Sequence, residues 1–329
     1  MIDKLENIGF YTLCDDRAKN ASSVSPMWRV EMIITDRCNF NCPYCRGMKE
    51  ESRGDILTKD VFSTIDLLAK NKLKHIRFSG GEPTAHPDLL SIIKYSKDIG
   101  IERIAISTNG SADTEYYEKL IKEGVNDFSI SLDACCASFT DEMTGVKGQF
   151  DKIVKNIKYI SAKTYVTVGV VFTDQTLKEV INTIKFAHDL GVADVRIISA
   201  AQCSDVYLEF ADVLHYVNKE ILNAHPILNY RINNIKNKIS VRGLRKTDSH
   251  RCGLLYDDCI VVKNNHYPCI IHFREGGSPI GKVGENMRQE RIDWLNSHDT
   301  HEDPICKANC LDVCRDYNNK FEKLNCREI

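Results

Sequence analysis

Cys38-Asn39-Phe40-Asn41-Cys42-Pro43-Tyr44-Cys45 directly follows the apolar segment Trp28 to Thr35. That segment reads as a β-strand, so the C-x3-C-x2-C run falls in the loop at its C-terminal end. Thiolates are soft ligands that select iron–sulfur clusters and zinc. Three of them can hold three corners of a four-iron cube and leave one iron open. A zinc knuckle wants a fourth ligand, and the next histidine is as far away as His75. Chance clustering in a Cys-rich chain is the third reading of the run taken alone.

The rest of the chain narrows the classes. Its 329 residues allow one large domain and a smaller one, and its 43 % apolar and 27 % charged content is ordinary for a globular protein. A net charge of −2 favours neither nucleic acid nor an anionic membrane. No apolar run has the length of a membrane span, and no signal-peptide core opens the chain. A cytoplasmic location is expected. Fourteen cysteines there point to metal or cluster ligation, because cytosolic disulfides are rare.

From residue 28 strand and helix signals alternate. Strands are expected at Trp28–Thr35, His75–Ser79, Arg103–Ser107, Asp127–Leu132, Val166–Phe172 and Val195–Ser199, and helices lie between them. Thr58 is expected to cap the first of these helices. Repeated strand–helix units imply parallel strands with right-handed crossovers. Six units are too few for a closed eight-fold barrel, so an α/β partial (β/α)6 TIM-like barrel is expected, with its chemistry at the C-terminal strand ends. The expected division is a leader at 1–27 packed on the main domain, the barrel at 28–240 and a small Cys-rich extension at 241–329.

Polar motifs stand at those strand ends. Gly80-Gly81-Glu82-Pro83 follows the second strand, where two glycines let the backbone approach a ligand and Glu82 offers an acceptor to an ammonium group. Ser107-Thr108-Asn109-Gly110 closes the third strand, and Ser131-Leu132-Asp133 closes the fourth. Turn chemistry alone would explain either. Glu31 and Arg77 are charges inside apolar strands, read as a buried ion pair or as catalytic groups.

Taken together, the cysteine run with Tyr44 before its third cysteine, and the Gly-Gly-Glu-Pro element at its distance, resemble the radical S-adenosylmethionine (radical SAM) superfamily. The resemblance implies a 4Fe–4S cluster on Cys38, Cys42 and Cys45, with S-adenosylmethionine on the open iron. It implies cofactor contacts from Gly80, Gly81, Glu82, Pro83, Ser107, Asn109, Ser131 and Asp133, with Tyr44 packed on the adenine. A reductant such as flavodoxin or ferredoxin would supply the electron.

The last quarter carries Cys252, Cys259, Cys269, Cys306, Cys310, Cys314 and Cys326, half of the chain's cysteines. Residues 260–269 read as a β-hairpin turning at Asn264-Asn265. Four thiolates here suit structural zinc as well as a cluster. The pattern is similar to the SPASM and twitch extensions of radical SAM enzymes, which implies one auxiliary 4Fe–4S cluster on Cys252, Cys269, Cys310 and Cys314, with Cys306 and Cys259 as alternates.

The expected activity is hydrogen abstraction by a 5′-deoxyadenosyl radical from an unactivated C–H bond of a small molecule, ending in dehydrogenation or epimerisation. Cys203, Cys135 or Cys259 would return hydrogen in the second case. The alternatives are a maturase acting on a ribosomally made peptide and, from another class, a non-catalytic zinc or iron–sulfur protein.

Overall fold

The computed structural model describes residues 15–47, 53–201 and 216–325. Six parallel strands succeed one another: β1 (Arg29–Thr35), β2 (His75–Gly80), β3 (Arg103–Thr108), β4 (Asp127–Ser131), β5 (Tyr165–Phe172) and β6 (Asp194–Ser199). They pair in sequence order, and helices cross over between them, as the strand–helix alternation requires. The sheet stays open, a partial barrel. Three more strands, β7 (Asp258–Val262), β8 (Asn265–Tyr267) and β9 (Gly281–Lys282), extend it beyond β1.

Alternation along each strand sorts the faces. Val30, Met32, Ile76, Phe78, Ile104, Ile106, Phe128, Ile130, Val168 and Ile197 pack with helix residues Ile65, Leu68, Ile92, Leu120, Ile157 and Ile184 in the main core. The intervening positions, Glu31, Arg77, Ser79, Ser107, Ser129, Thr167 and Arg196, lie on the opposite, concave face. The barrel interior is therefore polar, and most of the apolar burial lies between sheet and helices.

Helix starts differ from their sequence signals by a residue or two. Thr58 is the first helical residue and Leu57 the cap position; the Thr58 hydroxyl donates to Asp88 at 2.6 Å, and no side chain accepts from the first N–H groups of the helix. The helix between β2 and β3 runs Leu89–Asp98. A helix at Ala137–Thr144 and two at Lys219–Ala224 and Pro226–Lys236 add to the expected set.

The Cys-rich extension is welded to the barrel. Strand β7 pairs in parallel with β1, with Arg29 opposite Asp258 and Ile33 opposite Val262, and β8 returns antiparallel. The hairpin turn falls one residue earlier than expected. Lys263 holds the left-handed conformation at φ 52°, and Asn265 is already in β8. The described part of the leader packs mostly on the extension, while Met27 joins the main core. Ala18 and Ala21 bury against Leu254, Tyr317 and Phe321, while Arg17 pairs with Asp257 and lies 3.9 Å over the Trp28 ring.

Arg291 locks this arrangement. It is fully buried and donates to the carbonyls of Leu255 at 2.9 Å, Tyr267 at 3.0 Å and Asp258. Replacing it strands those three acceptors. Arg291→Met is expected to lower stability by ~3 kcal/mol or more, measured by urea unfolding, with early proteolysis after residue 250.

Candidate functional site

The loop after β1 is stitched to the turn after β2. Gly81 N–H donates to Thr35 O at 2.9 Å, and Glu82 N–H to Arg37 O at 2.7 Å. Arg37 pairs with Asp55 at 2.7 Å and donates to Ala85 O at 2.6 Å. The glycine pair serves this contact first. A Cβ on Gly80 (φ 152°) would lie 2.2 Å from Thr35 O, and one on Gly81 2.4 Å from Arg37 O. Close approach between two loops, as well as to any ligand, therefore demands glycine here.

Glu82 differs from its expected role. It is 2 % exposed, and its carboxylate accepts from Thr84 N at 3.0 Å, the hydroxyls of Thr84 and Thr108 at 2.7 Å, and Asn109 N at 2.7 Å. Burial raises its pKa against the pull of those donors. Its acceptors tie the short Pro83–Ala85 turn to the end of β3, so it holds the site together, with Oε2 accepting only from Asn109 N.

Around this turn the thiol loop meets the other strand ends. Cys45 N–H donates to Cys42 O at 3.0 Å, and the Cys38 and Cys45 sulfurs accept from Phe40 N and Gly47 N at 3.4 Å each. Asn109 donates to Asn39 at 2.8 Å and, with Cys38, forms a side-chain hydrogen bond. Tyr44 O–H donates to the Asp133 carboxylate, which also accepts from Val171 N at 2.7 Å. Burial pushes Asp133 up to about 6 and Cys42 up to about 12, the latter helped by the nearby Asp133 charge. Tyr44 is thus a tether from the thiol loop to the end of β4. Ser131 ends that strand exposed, and Ser107 lies within the barrel, accepting from Arg77 at 3.0 Å.

Glu31 and Arg77 are not each other's partners. Glu31 accepts from Ser79 at 2.6 Å, and Arg77 faces Asp127 at 3.6 Å. Above them the concave face is rich in guanidinium. Arg196 and Arg242 are lowered to about 10, chiefly by burial, yet both keep some accessible surface, as groups lining an enclosed space do. Buried N–H groups of Arg77, Arg231, Arg242 and Arg274 have no partner. Arg77 stood out in the sequence as a charge inside an apolar strand; the others become a group only in the fold.

The C-terminal thiols converge. Cys252, Cys269, Cys306, Cys310 and Cys314 lie close enough that their charges raise one another's pKa, after burial as the leading cause. Cys269 is pushed up to about 12, although its sulfur accepts from His272 N at 3.4 Å. Five half-buried thiols with no disulfide among them suit a soft metal, which would take them as thiolates. Cys259 lies apart from this group, fully buried in the main core with its S–H toward Ile260 O at 3.5 Å. Packing on both sides leaves it no path to a substrate, which corrects its expected roles as donor and as alternate ligand. Cys135 is half-buried, 4.0 Å from the Glu179 carboxylate. Cys203 and Cys326 lie outside the described residues. An ion pair between Arg46, next to Cys45, and Glu275 joins the two thiol groups. A groove of about 420 Å³ bounded by Thr84, His86, Tyr116 and Lys152 contains none of the cysteines.

Residues 32–187 match the family described as the Radical SAM superfamily. The chain is 32 % identical over 162 residues to an AdoMet-dependent heme synthase of Methanosarcina barkeri, covering 48 % of this chain and 46 % of that protein. It is 28 % identical over 172 residues to a probable GTP 3′,8-cyclase of Sulfurisphaera tokodaii, covering 51 % and 55 %. The chain thus matches about half the length of these curated relatives. Native anSMEcpe with bound AdoMet superposes with a TM-score of 0.63 at 15 % identity over 90 % of this chain and 94 % of that one. Streptococcus suis SuiB bound to S-adenosylmethionine superposes at 0.61 with 14 % identity, over 88 % and 78 %. At such identities the likeness is one of fold.

Gly81→Ala forces its loop away from Arg37. We expect it to lose most of the iron held by the first three thiols and ~2–4 kcal/mol of stability, while iron held by the C-terminal thiols remains. Iron analysis beside a urea curve checks both.

Proposed function

Because residues 32–187 of this chain belong to the radical SAM superfamily, we propose that Cys38, Cys42 and Cys45 hold its 4Fe–4S cluster and that the enzyme dehydrogenates an anionic small molecule. When bound, the reduced cluster and S-adenosylmethionine supply methionine and a 5′-deoxyadenosyl radical that takes one hydrogen atom from the substrate. The observation that carries this reading is the stitched rim. Cys38 is beside Asn109, and Cys42 is beside Tyr44 and Asp133. The Gly80–Pro83 turn is fixed against the same loop. Cofactor groups bound to the open iron would meet the backbone of that turn and the polar ends of β3 and β4, where Asn109, Ser131 and Asp133 stand.

Two features support the finer reading. The guanidinium groups on the concave face outnumber the acids near them, and buried N–H groups without partners call for an anionic ligand. The second thiol group, joined to the first by Arg46 and Glu275, suits an auxiliary cluster that accepts the second electron of a dehydrogenation. Epimerisation is the second reading, with Cys135 near the end of β4 returning hydrogen. A flavodoxin or ferredoxin would reduce the enzyme, and a reducing cytoplasm suits its free thiols.

Anaerobic protein with dithionite and S-adenosylmethionine should form 5′-deoxyadenosine, and Cys42→Ala should abolish it. Arg274→Gln should keep that cleavage but weaken capture of a di- or tricarboxylate probe by ~10–100-fold, the worth of a charged hydrogen bond. In deuterated water, deuterium appearing at a substrate carbon would decide for epimerisation.

A further inference from the structure

Beyond both thiol groups' cluster chemistry, three donors of different kinds meet at the surface of the extension. His298 Nε2, an Asp303 carboxylate oxygen and Cys306 Sγ all lie within 4.8 Å of one another. We propose that these residues hold a single divalent transition ion, zinc by its donor set, at a mononuclear site separate from the auxiliary cluster.

The stoichiometry of the thiols is the first ground. A four-iron cluster with no open iron takes four cysteines. Five thiols converge in the extension, so one is in excess, and Cys306 is the one that also stands beside His298 and Asp303. It lies in the first turns of the helix Pro304–Asn309, whose N-terminus Asp303 caps.

Geometry is the second. Asp303 divides its oxygens. Oδ1 accepts from Ile305 N at 2.7 Å and Cys306 N at 3.0 Å, which turns Oδ2 to the two imidazoles. His272 Nε2 makes a hydrogen bond to Oδ2 at 3.3 Å. His298 Nε2 stands closer, at 3.1 Å, yet it is buried and off line for a well-formed hydrogen bond to that oxygen. A nitrogen so near a carboxylate and pointed past it is placed to share an ion with it. Ligand atoms ~2.0–2.2 Å from one tetrahedral ion stand about 3.3–3.6 Å apart; the His298–Asp303 pair is at 3.1 Å, and Cys306 Sγ lies within 4.8 Å of both. Mixed nitrogen, oxygen and sulfur donors suit zinc, and three protein ligands leave a fourth position for water.

The surroundings hold these groups in place. Trp294 stacks on the His298 ring with centroids 3.6 Å apart, and its edge meets His272 at 6.2 Å. Gly277 leaves room for His272, since a Cβ there would lie 2.1 Å from Nδ1. His272, 6 % exposed, thus orients the ligating carboxylate from behind, as outer-shell partners of metal ligands commonly do.

Metal analysis of the full chain with its clusters reconstituted and zinc supplied tests this. We expect one tightly held zinc per chain beside the cluster iron. His298→Ala and Asp303→Asn should lose the zinc with iron and 5′-deoxyadenosine formation unchanged, and His272→Ala should weaken zinc binding by ~10–100-fold. Cobalt put in place of zinc should give a thiolate-to-cobalt charge-transfer band that Cys306→Ser removes. Asparagine at 303 keeps the helix cap, and the side chain of His298, the residue that ends the helix Met287–Ser297, makes no capping hydrogen bond, so misfolding would not obscure the result. Absence of zinc, zinc retained in both variants, or loss of iron in Cys306→Ser would each overturn the proposal.

Discussion

Strand β1 carries hydrogen bonds to β2 on one side and β7 on the other, and the rest of the molecule depends on that position. Its C-terminal end releases the loop with Cys38, Cys42 and Cys45. Its neighbour β2 ends in the glycine pair that clamps this loop. Its other neighbour, β7, brings in the hairpin that ends at Cys269. Two thiol groups far apart in sequence are thereby fixed to one rigid sheet, with the Arg46–Glu275 ion pair between them. A transfer of charge between two centres needs such a fixed separation, which a flexibly tethered domain would not give.

The second constraint is electrostatic. The apolar residues of the six barrel strands face the helices, which leaves the concave face free to carry charge. Buried guanidinium groups are costly unless paired. Glu31, Asp127, Glu275 and Asp312 meet part of that demand, with Asp312 3.0 Å from Arg231. The remainder is a stored preference for an anion. A closed barrel would fill this space with branched apolar side chains; here it is kept polar.

Much of this was legible in the sequence, and for identifiable reasons. Strand positions followed from runs of Ile, Val and Phe, so β3 and β6 fall within a residue of their expected bounds. The resemblance pointed to the thiol loop and the Gly80–Pro83 turn because both are local. Features that need a partner from elsewhere were not legible. Thr58 looked like a cap, but it is the first helical residue and its hydroxyl donates to Asp88. Glu82 looked like a ligand acceptor, but Thr84, Thr108 and Asn109 use its oxygens. The left-handed residue of the hairpin proved to be Lys263, although Asn264 is the better former of that geometry by type. Arg196, Arg231 and Arg242 come together only through strand register and the return of the extension to β1, which no sequence window contains.

The central claim is that the Cys38–Cys45 loop holds a cluster with one iron open to S-adenosylmethionine. Electron paramagnetic resonance of the dithionite-reduced protein, recorded with and without S-adenosylmethionine, tests it most directly. The account predicts a cluster signal that changes when S-adenosylmethionine is added, that keeps changing in Cys269→Ala, and that is missing from Cys38→Ala. Spectra with no signal that responds to S-adenosylmethionine, or a responsive signal that survives in Cys38→Ala, would contradict it.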